Sequence, residues 1–247
     1  MKYPTHEDRE RTARDTPALI LTVSLLAAYN VARTLWIPES WQLLTNVGVA
    51  LLIGAIAWWS SVDTTELGLH RDHHPLGAIW GGGALLLVMA VVVGFALVSE
   101  VRGSSQGALD DPRLQVPFLE MVYEVAFNTP LGTVVLEEFA FRGLLLALFL
   151  RHTSMWRSVL WSSLLFGAWH ILPTLTTAAS NGAMEQLAST PAGLVVVVIG
   201  NVLSTAFAGA VFAYLRLRSG SLLAPALAHL ATNDISFVVG WVFNRYG

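Results

Sequence analysis

The sequence predicts an all-α fold, a polytopic membrane bundle of about seven transmembrane helices. Of its 247 residues, 54% are hydrophobic and only 13% are charged, against about 25% charged in an ordinary soluble domain. Apolar runs of about 18 or more residues, long enough to cross a bilayer, recur along the chain. They predict spans at 17–36, 41–60, 76–98, 118–150, 156–173, 191–215 and 221–243. A polar segment, 1–16, therefore precedes a single transmembrane domain, 17–247.

The fourth predicted span is too long for one straight helix across about 30 Å of hydrocarbon. Proline disfavours helical geometry in the residue before it, and Thr129-Pro130 lies inside this span. The pattern therefore predicts a short interfacial or re-entrant helix over 117–128, a break at Thr129-Pro130, and a spanning helix over 131–150.

The distribution of Lys and Arg predicts the orientation, because these residues concentrate in cytoplasmic segments. With the N-terminus inside, the inner segments hold nine of them and the outer segments four, Arg142 being within the membrane. We therefore expect segment 1–16 to be cytoplasmic. The compact chain without an organelle retention signal predicts a prokaryotic plasma membrane.

Composition also limits the possible chemistry and partners. The chain has no cysteine, which excludes disulfides, iron–sulfur clusters and thiolate catalysis. A net charge of −3 and no basic block argue against nucleic acid as a partner. The predicted partners are the lipid bilayer and a peptide or protein.

Three charged residues, Glu137, Glu138 and Arg142, lie within the fourth apolar run. Each costs roughly 2.5–3.5 kcal/mol or more at the centre of a bilayer, so charges at this depth usually serve a function. Helical spacing of four places Glu138 beside Arg142 as an ion pair. Glu137 points about 100° away with no partner on its own helix, which suits a general acid or base. The alternative is a buried polar cluster that only fixes helix packing.

Two later helices carry further polar residues at matching depth. His170 follows Phe166-Gly167-Ala168-Trp169 near the end of one span, and His229 and Asn233 share a face of the last. A carboxylate, two imidazoles and a carboxamide can activate water and stabilise an oxyanion, as peptide hydrolysis requires. His, His and Glu are also a catalytic zinc set. The His-Glu-x-x-His motif of soluble zinc proteases is absent.

In order, these three motifs resemble the CPBP family of intramembrane proteases. The family pattern is Glu-Glu-x-x-x-Arg, then Phe-x-x-x-His, then His-x-x-x-Asn or Asp. Here it corresponds to 137–142, 166–170 and 229–233, so the catalytic motifs lie within 131–234. The family includes the type II CAAX prenyl endopeptidases and the bacterial Abi, or bacteriocin self-immunity, proteins.

The resemblance implies a role for each matched residue. Glu137 would activate water together with His170, His229 and Asn233 would stabilise the oxyanion, and Glu138 with Arg142 would hold the site together. The implied substrate is a peptide or protein, prenylated in the CAAX branch. No cofactor is favoured, because Asn is a poor zinc ligand and suits an oxyanion better.

Two alternatives stay open at this stage. The same protease would be zinc-dependent if Glu137, His170 and His229 held the metal. The chain would instead be a non-catalytic immunity or scaffold protein if these residues only bound a partner within the membrane.

Overall fold

A computed structural model describes residues 6–101, 114–178 and 187–246, which are largely helical and contain no β-strand. We number the helices in chain order and treat helical segments that follow one another directly as one helix. They are α1 (His6–Leu35), α2 (Glu39–Trp59), α3 (His74–Val101), α4 (118–152), α5 (Met155–Trp169), α6 (Ile171–Thr177), α7 (Pro191–Ser219) and α8 (223–246).

The predicted membrane bundle is confirmed. In the part of the chain that the structure describes, six helical stretches are long and apolar enough to cross a membrane. They correspond to six of the seven predicted spans, and they are Ala13–Leu35, Glu39–Trp59, Arg71–Ser99, Met155–Thr177, Pro191–Ser219 and Leu223–Arg245. The remaining predicted span, 118–150, is helix α4, whose apolar character is interrupted by charged residues.

The break predicted at Thr129-Pro130 is wrong, because α4 runs on through both residues. Thr129 has φ −63° and ψ −51°, which is ordinary helical geometry. Wider π-helical turns flank it, at Glu124–Asn128 and Pro130–Val134. A proline ring clashes with the carbonyl four residues earlier in a regular α-helix, and the wider turns move that carbonyl away. Residues 117–128 are therefore not a separate helix: their helical part, from Phe118 onward, is the first part of α4.

Helix α7 shows how local sequence sets the ends of a long helix. The Thr190 side chain accepts a hydrogen bond from the backbone N–H of Gly193 at 3.0 Å, and Pro191 occupies the first helical position, where its missing N–H costs nothing. The helix ends at Gly220, whose φ of +69° is a left-handed conformation that favours glycine.

The described helices bury two apolar clusters. One joins α1, α2, α4 and α5 around side chains such as Ile53, Leu144 and Phe166. The other packs Phe212 of α7 and Ala228 of α8 with residues of α3. Close backbone approach supports this packing, as is usual between membrane helices. A Cβ at Gly167 in α5 would lie 2.7 Å from the Val202 carbonyl of α7, so only glycine fits there.

Candidate active site

Helix α4 delivers the two glutamates and the arginine to the centre of the bundle. Glu137, Glu138 and Arg142 are 3%, 2% and 1% exposed. The predicted ion pair is present, with Arg142 Nη1 donating to Glu138 Oε1 at 3.0 Å. Glu137 ends a short α-helical stretch between π-helical turns at Pro130–Val134 and Glu138–Leu145. Such π-helical turns occur frequently at functional sites.

Aromatic rings surround the rest of the Arg142 guanidinium. Among the described residues, its Nε and Nη2 atoms have no hydrogen-bond partner. Its Cζ lies 3.9 Å from the ring centroid of Phe166 and 5.1 Å from that of Phe212, close enough for cation–π attraction. A Cβ at Gly209 would lie 3.2 Å from Nη2, so this glycine leaves space for the guanidinium.

His229 of α8 bridges the two glutamates, a contact that sequence analysis missed. Its Nδ1 lies 2.8 Å from Glu138 Oε1, and its Nε2 lies 3.8 Å from Glu137 Oε2. Because an ionised carboxylate only accepts hydrogen bonds, Nδ1 carries the proton toward Glu138. Glu138 therefore orients His229 as well as pairing with Arg142.

Glu137, for which the sequence predicts no partner on its own helix, has a hydrogen-bond partner on another helix. The indole Nε1 of Trp169, at the end of α5, donates to Glu137 Oε1 at 3.0 Å. The other oxygen, Oε2, is buried without a hydrogen-bond partner among the described residues. The two oxygens thus have different environments: one is held, and the other is left available toward His229.

His170 lies next to this cluster rather than within its hydrogen bonds. Its Nδ1 lies 2.8 Å from the Phe166 carbonyl, which only accepts, so Nδ1 carries the proton and Nε2 is left with its lone pair in the neutral ring. The Phe166 ring contacts both imidazoles, with centroids 4.7 Å from His170 and 5.8 Å from His229. No hydrogen bond joins His170 to Glu137 or His229 among the described side chains.

Asn233 occupies a different environment from the buried residues. It is exposed, within the π-helical stretch Ala231–Ile235 of α8. It lines a cavity of about 1260 Å³ between α2, α3, α4 and α8. Thr133 of α4 lines the same cavity, and Glu137 comes four residues later on that helix. Glu137 and Glu138 are not among the residues that line the cavity.

The cavity has walls of two kinds. Polar lining residues come from α2, α4 and α8, and apolar ones come mainly from α3 and α8. Polar lining residues include Glu120, Glu124, Asn128, Thr129 and Thr133; apolar ones include Val91, Val92, Phe95, Phe237 and Val239.

The zinc alternative requires three ligands around one point. In the described ranges, no group of three His, Asp or Glu side chains is arranged to hold a metal ion. Nδ1 of His229 is engaged by Glu138 and Nδ1 of His170 by the Phe166 carbonyl, a pattern that leaves Nε2 of each ring free for another partner. In the described residues, the three candidate ligands do not surround a common point.

The fold and the site define a helical membrane protein with a buried acid–imidazole cluster near a cavity. Residues 120–235, just under half of the chain, match the family model of the Rce1-like type II CAAX prenyl endopeptidases. The resemblance expected from the three motifs is confirmed, and all three lie in the matched segment. The match supports, at the level of the family, a CAAX-type intramembrane protease. No curated protein and no solved structure matches the chain.

Proposed function

We propose that the protein is an intramembrane endopeptidase in which Glu137 activates the attacking water. One observation carries this proposal: Glu137 Oε2 is buried without a hydrogen-bond partner in the described structure and faces His229 Nε2 at 3.8 Å. A buried polar atom left unpaired needs an explanation. A water oxygen bound between Oε2 and the imidazole supplies one, since a single oxygen can approach both atoms to hydrogen-bond distance.

In this mechanism the water oxygen attacks the scissile carbonyl carbon and Glu137 takes the proton. The carbonyl oxygen becomes an oxyanion, to which the carboxamide of Asn233 donates a hydrogen bond, as does Nε2 of His229 when that ring carries a proton on both nitrogens. Glu138 supports His229 from the opposite nitrogen, as a carboxylate does for the histidine of a serine protease. The proton then passes from Glu137 to the leaving amine, and the C–N bond breaks. His170 assists the water through its Nε2 atom.

The shape of the cavity supports a lipid-modified peptide as substrate. Its polar lining residues, on α2, α4 and α8, offer hydrogen-bonding groups to a peptide backbone, and its apolar lining residues, mainly on α3 and α8, offer contact area to a hydrocarbon chain. A prenylated CAAX peptide combines both chemistries. We therefore propose such a peptide as the substrate class.

Cleavage of a prenylated CAAX reporter peptide by the detergent-purified protein tests this proposal. Replacement Glu137→Gln keeps the shape of the side chain and removes the base, so we expect kcat to fall by about 10³-fold or more. Asp72→Asn, in the exposed loop before α3, serves as the carboxylate control and retains activity. Cleavage that survives Glu137→Gln would overturn the assignment of the base.

Repeating the cleavage assay with a chelator, and then with added zinc, distinguishes the two protease mechanisms. Glu137-dependent cleavage that resists chelation supports the glutamate mechanism. Loss on chelation with recovery on added zinc would place Glu137, His170 and His229 in a metal site instead. Failure of every form to cleave, together with partner binding that survives Glu137→Gln and His170→Ala, would support a non-catalytic immunity or scaffold role.

A further inference from the structure

The residue that holds Glu137 is itself held by the first helix of the chain. Trp169 donates its indole N–H to Glu137 Oε1 at 3.0 Å, and its backbone carbonyl accepts from Asn30 Nδ2 at 2.8 Å. Asn30 belongs to α1, outside the segment 120–235 that matches the protease family.

The bond from Asn30 follows from a gap in the backbone hydrogen bonds of α5 and α6. In a continuing helix, the Trp169 carbonyl would accept from the N–H four residues later. That residue is Pro173, which has no N–H. Asn30 supplies the missing donor. A buried amide donor on a membrane helix is costly without a partner, so Asn30 Nδ2 and the Trp169 carbonyl satisfy each other, while Asn30 Oδ1 has no hydrogen-bond partner among the described residues.

A buried tryptophan commonly finds some acceptor for its N–H, so the bond to Glu137 is not by itself evidence of function. The surroundings of the ring add the specificity. Tyr29 stacks against Trp169 with centroids 6.4 Å apart, and Phe141 meets it edge-on at 6.0 Å. The ring is fixed from two sides and the backbone from a third. Its N–H therefore points at one carboxylate oxygen in a defined direction.

A second connection links α1 to the helix that carries the base. The Tyr29 hydroxyl donates to Asn46 Oδ1, and Asn46 Nδ2 donates to the carbonyl of Gly132, five residues before Glu137. Helix α1 is thus connected to Glu137 in two ways. One runs through Trp169, the hydrogen-bond partner of Glu137, and the other through α4, the helix that carries Glu137.

We propose that Trp169 is a positioning residue for Glu137 and that Asn30 of α1 holds Trp169 in place. This inference rests on the proposed role of Glu137 as the base. By engaging Oε1, Trp169 fixes the rotation of the carboxylate and directs Oε2 toward His229 and the water. The N-terminal helix thereby contributes to catalytic geometry from outside the family segment.

The test removes the N–H without changing the shape of the ring. Stop-codon suppression introduces 3-benzothienyl-L-alanine at position 169, with sulfur in place of the indole N–H. We expect kcat for the reporter peptide to fall about ten- to a hundredfold, as small misplacements of catalytic groups do, while KM stays constant. The same replacement at Trp161, half-exposed on the same helix, is the control and leaves kcat unchanged.

Asn30→Leu tests the outer part of the arrangement. We expect a smaller fall in kcat, again at constant KM, and little further loss when it is combined with the change at position 169, because both act on one carboxylate. Thermal unfolding in detergent verifies that each variant is folded. A purely structural role for Asn30 predicts instead a lower unfolding temperature with kcat per folded molecule unchanged, which would overturn its positioning role.

A measurement that does not depend on activity, the NMR resonance of the Trp169 indole N–H, distinguishes failure of this inference from failure of the proposed function. The indole N–H resonance of Trp169, assigned by its loss in Trp169→Phe, shifts in Glu137→Leu if the hydrogen bond is present. An unshifted resonance, or unchanged kcat with the sulfur analogue, overturns the inference while Glu137-dependent cleavage still stands. Absence of Glu137-dependent cleavage overturns the proposed function and the catalytic role of Trp169 with it, whatever the resonance shows.

Discussion

Two arginines in the C-terminal half of α4, the partly buried Arg151 and the buried Arg142, have very different surroundings. Arg151 uses all five of its N–H groups in hydrogen bonds: to both oxygens of Glu66, to Asp15, and to the carbonyls of Ser60 and Ser61. Arg142 makes one hydrogen bond, to Glu138, and otherwise faces aromatic rings. The first guanidinium is fully satisfied at the edge of the bundle, and the second is not.

The difference distinguishes a fully hydrogen-bonded cluster from the candidate active site. The Arg151 cluster joins α1, the loop after α2 and the end of α4, and its donors and acceptors are matched. The Arg142 cluster leaves Glu137 Oε2 and Glu138 Oε2 unpaired in the described residues, although both are buried. Unpaired polar atoms reduce stability, so their retention is expected where a substrate or water provides the partner. A count of salt bridges alone would not distinguish the two clusters.

The largest effect on stability is expected from Arg142→Met. Removing one partner of a buried ion pair leaves an uncompensated charge, which costs about 3–5 kcal/mol. The free energy of unfolding, measured by denaturant titration in mixed micelles, should fall by this amount. The double variant Glu138→Leu with Arg142→Met should recover part of the loss, because no lone charge remains. It should still lack cleavage, because His229 loses the acceptor for Nδ1. If Arg142→Met lowered the free energy of unfolding by less than about 1 kcal/mol, the ion pair would not be the main compensation for burying the charge of Glu138.

An intermediate effect is expected from Arg151→Met. The side chain is 15% exposed, so water replaces part of what is lost, and we expect about 2 kcal/mol of destabilisation by the same titration. Because this cluster lies outside the candidate site, kcat and KM should match those of the unmodified protein when measured below the unfolding temperature. A large fall in kcat with intact folding would contradict the separation of the two clusters.

The smallest effect is a pH dependence from Glu66, in the loop after α2. Burial opposes its ionisation, but hydrogen bonds from Arg151 and from the Asp63 backbone outweigh burial and lower the pKa of Glu66 below its ordinary value of 4.5. The resulting stabilisation is present above about pH 5 and is lost as the pH falls through the lower pKa of the folded state. The difference in unfolding temperature between unmodified protein and Glu66→Gln should therefore shrink between about pH 5 and pH 3. A constant difference over this range would contradict it.

Local spacing predicted what lies along one helix. The Glu138–Arg142 pair follows from residues four apart, and the spans follow from runs of apolar residues. The break at Pro130 was wrong because the prediction assumed regular α-helical turns, whereas π-helical turns accommodate the proline. The residue before a proline disfavours helical geometry, but this is a local statistical tendency. The packing of α4 against α2 overrides it.

Contacts between distant helices could not be read from the sequence. The bond from Trp169 to Glu137 joins residues 32 apart, and that from His229 to Glu138 joins residues 91 apart. Either glutamate is a possible partner for His229 until the helices are placed. One signal was present: Pro173 leaves the Trp169 carbonyl without its helical donor, so a polar side chain from elsewhere was needed there. The sequence did not identify Asn30 as that donor.

The cavity that Thr133 lines, four residues before Glu137, also bears on the hydration of the candidate site. In the proposed reaction each hydrolysed bond consumes one water molecule, and hydrocarbon holds almost none. Glu39 and Glu120 are exposed residues of the cavity lining, and Asn128 and Thr133 extend the polar lining along α4. Because these groups favour water as far as Thr133, the aqueous phase can reach to within four residues of the proposed base. Leucine substitutions at these positions would exclude water from the cavity and make the supply of water, rather than the chemistry, limit the rate.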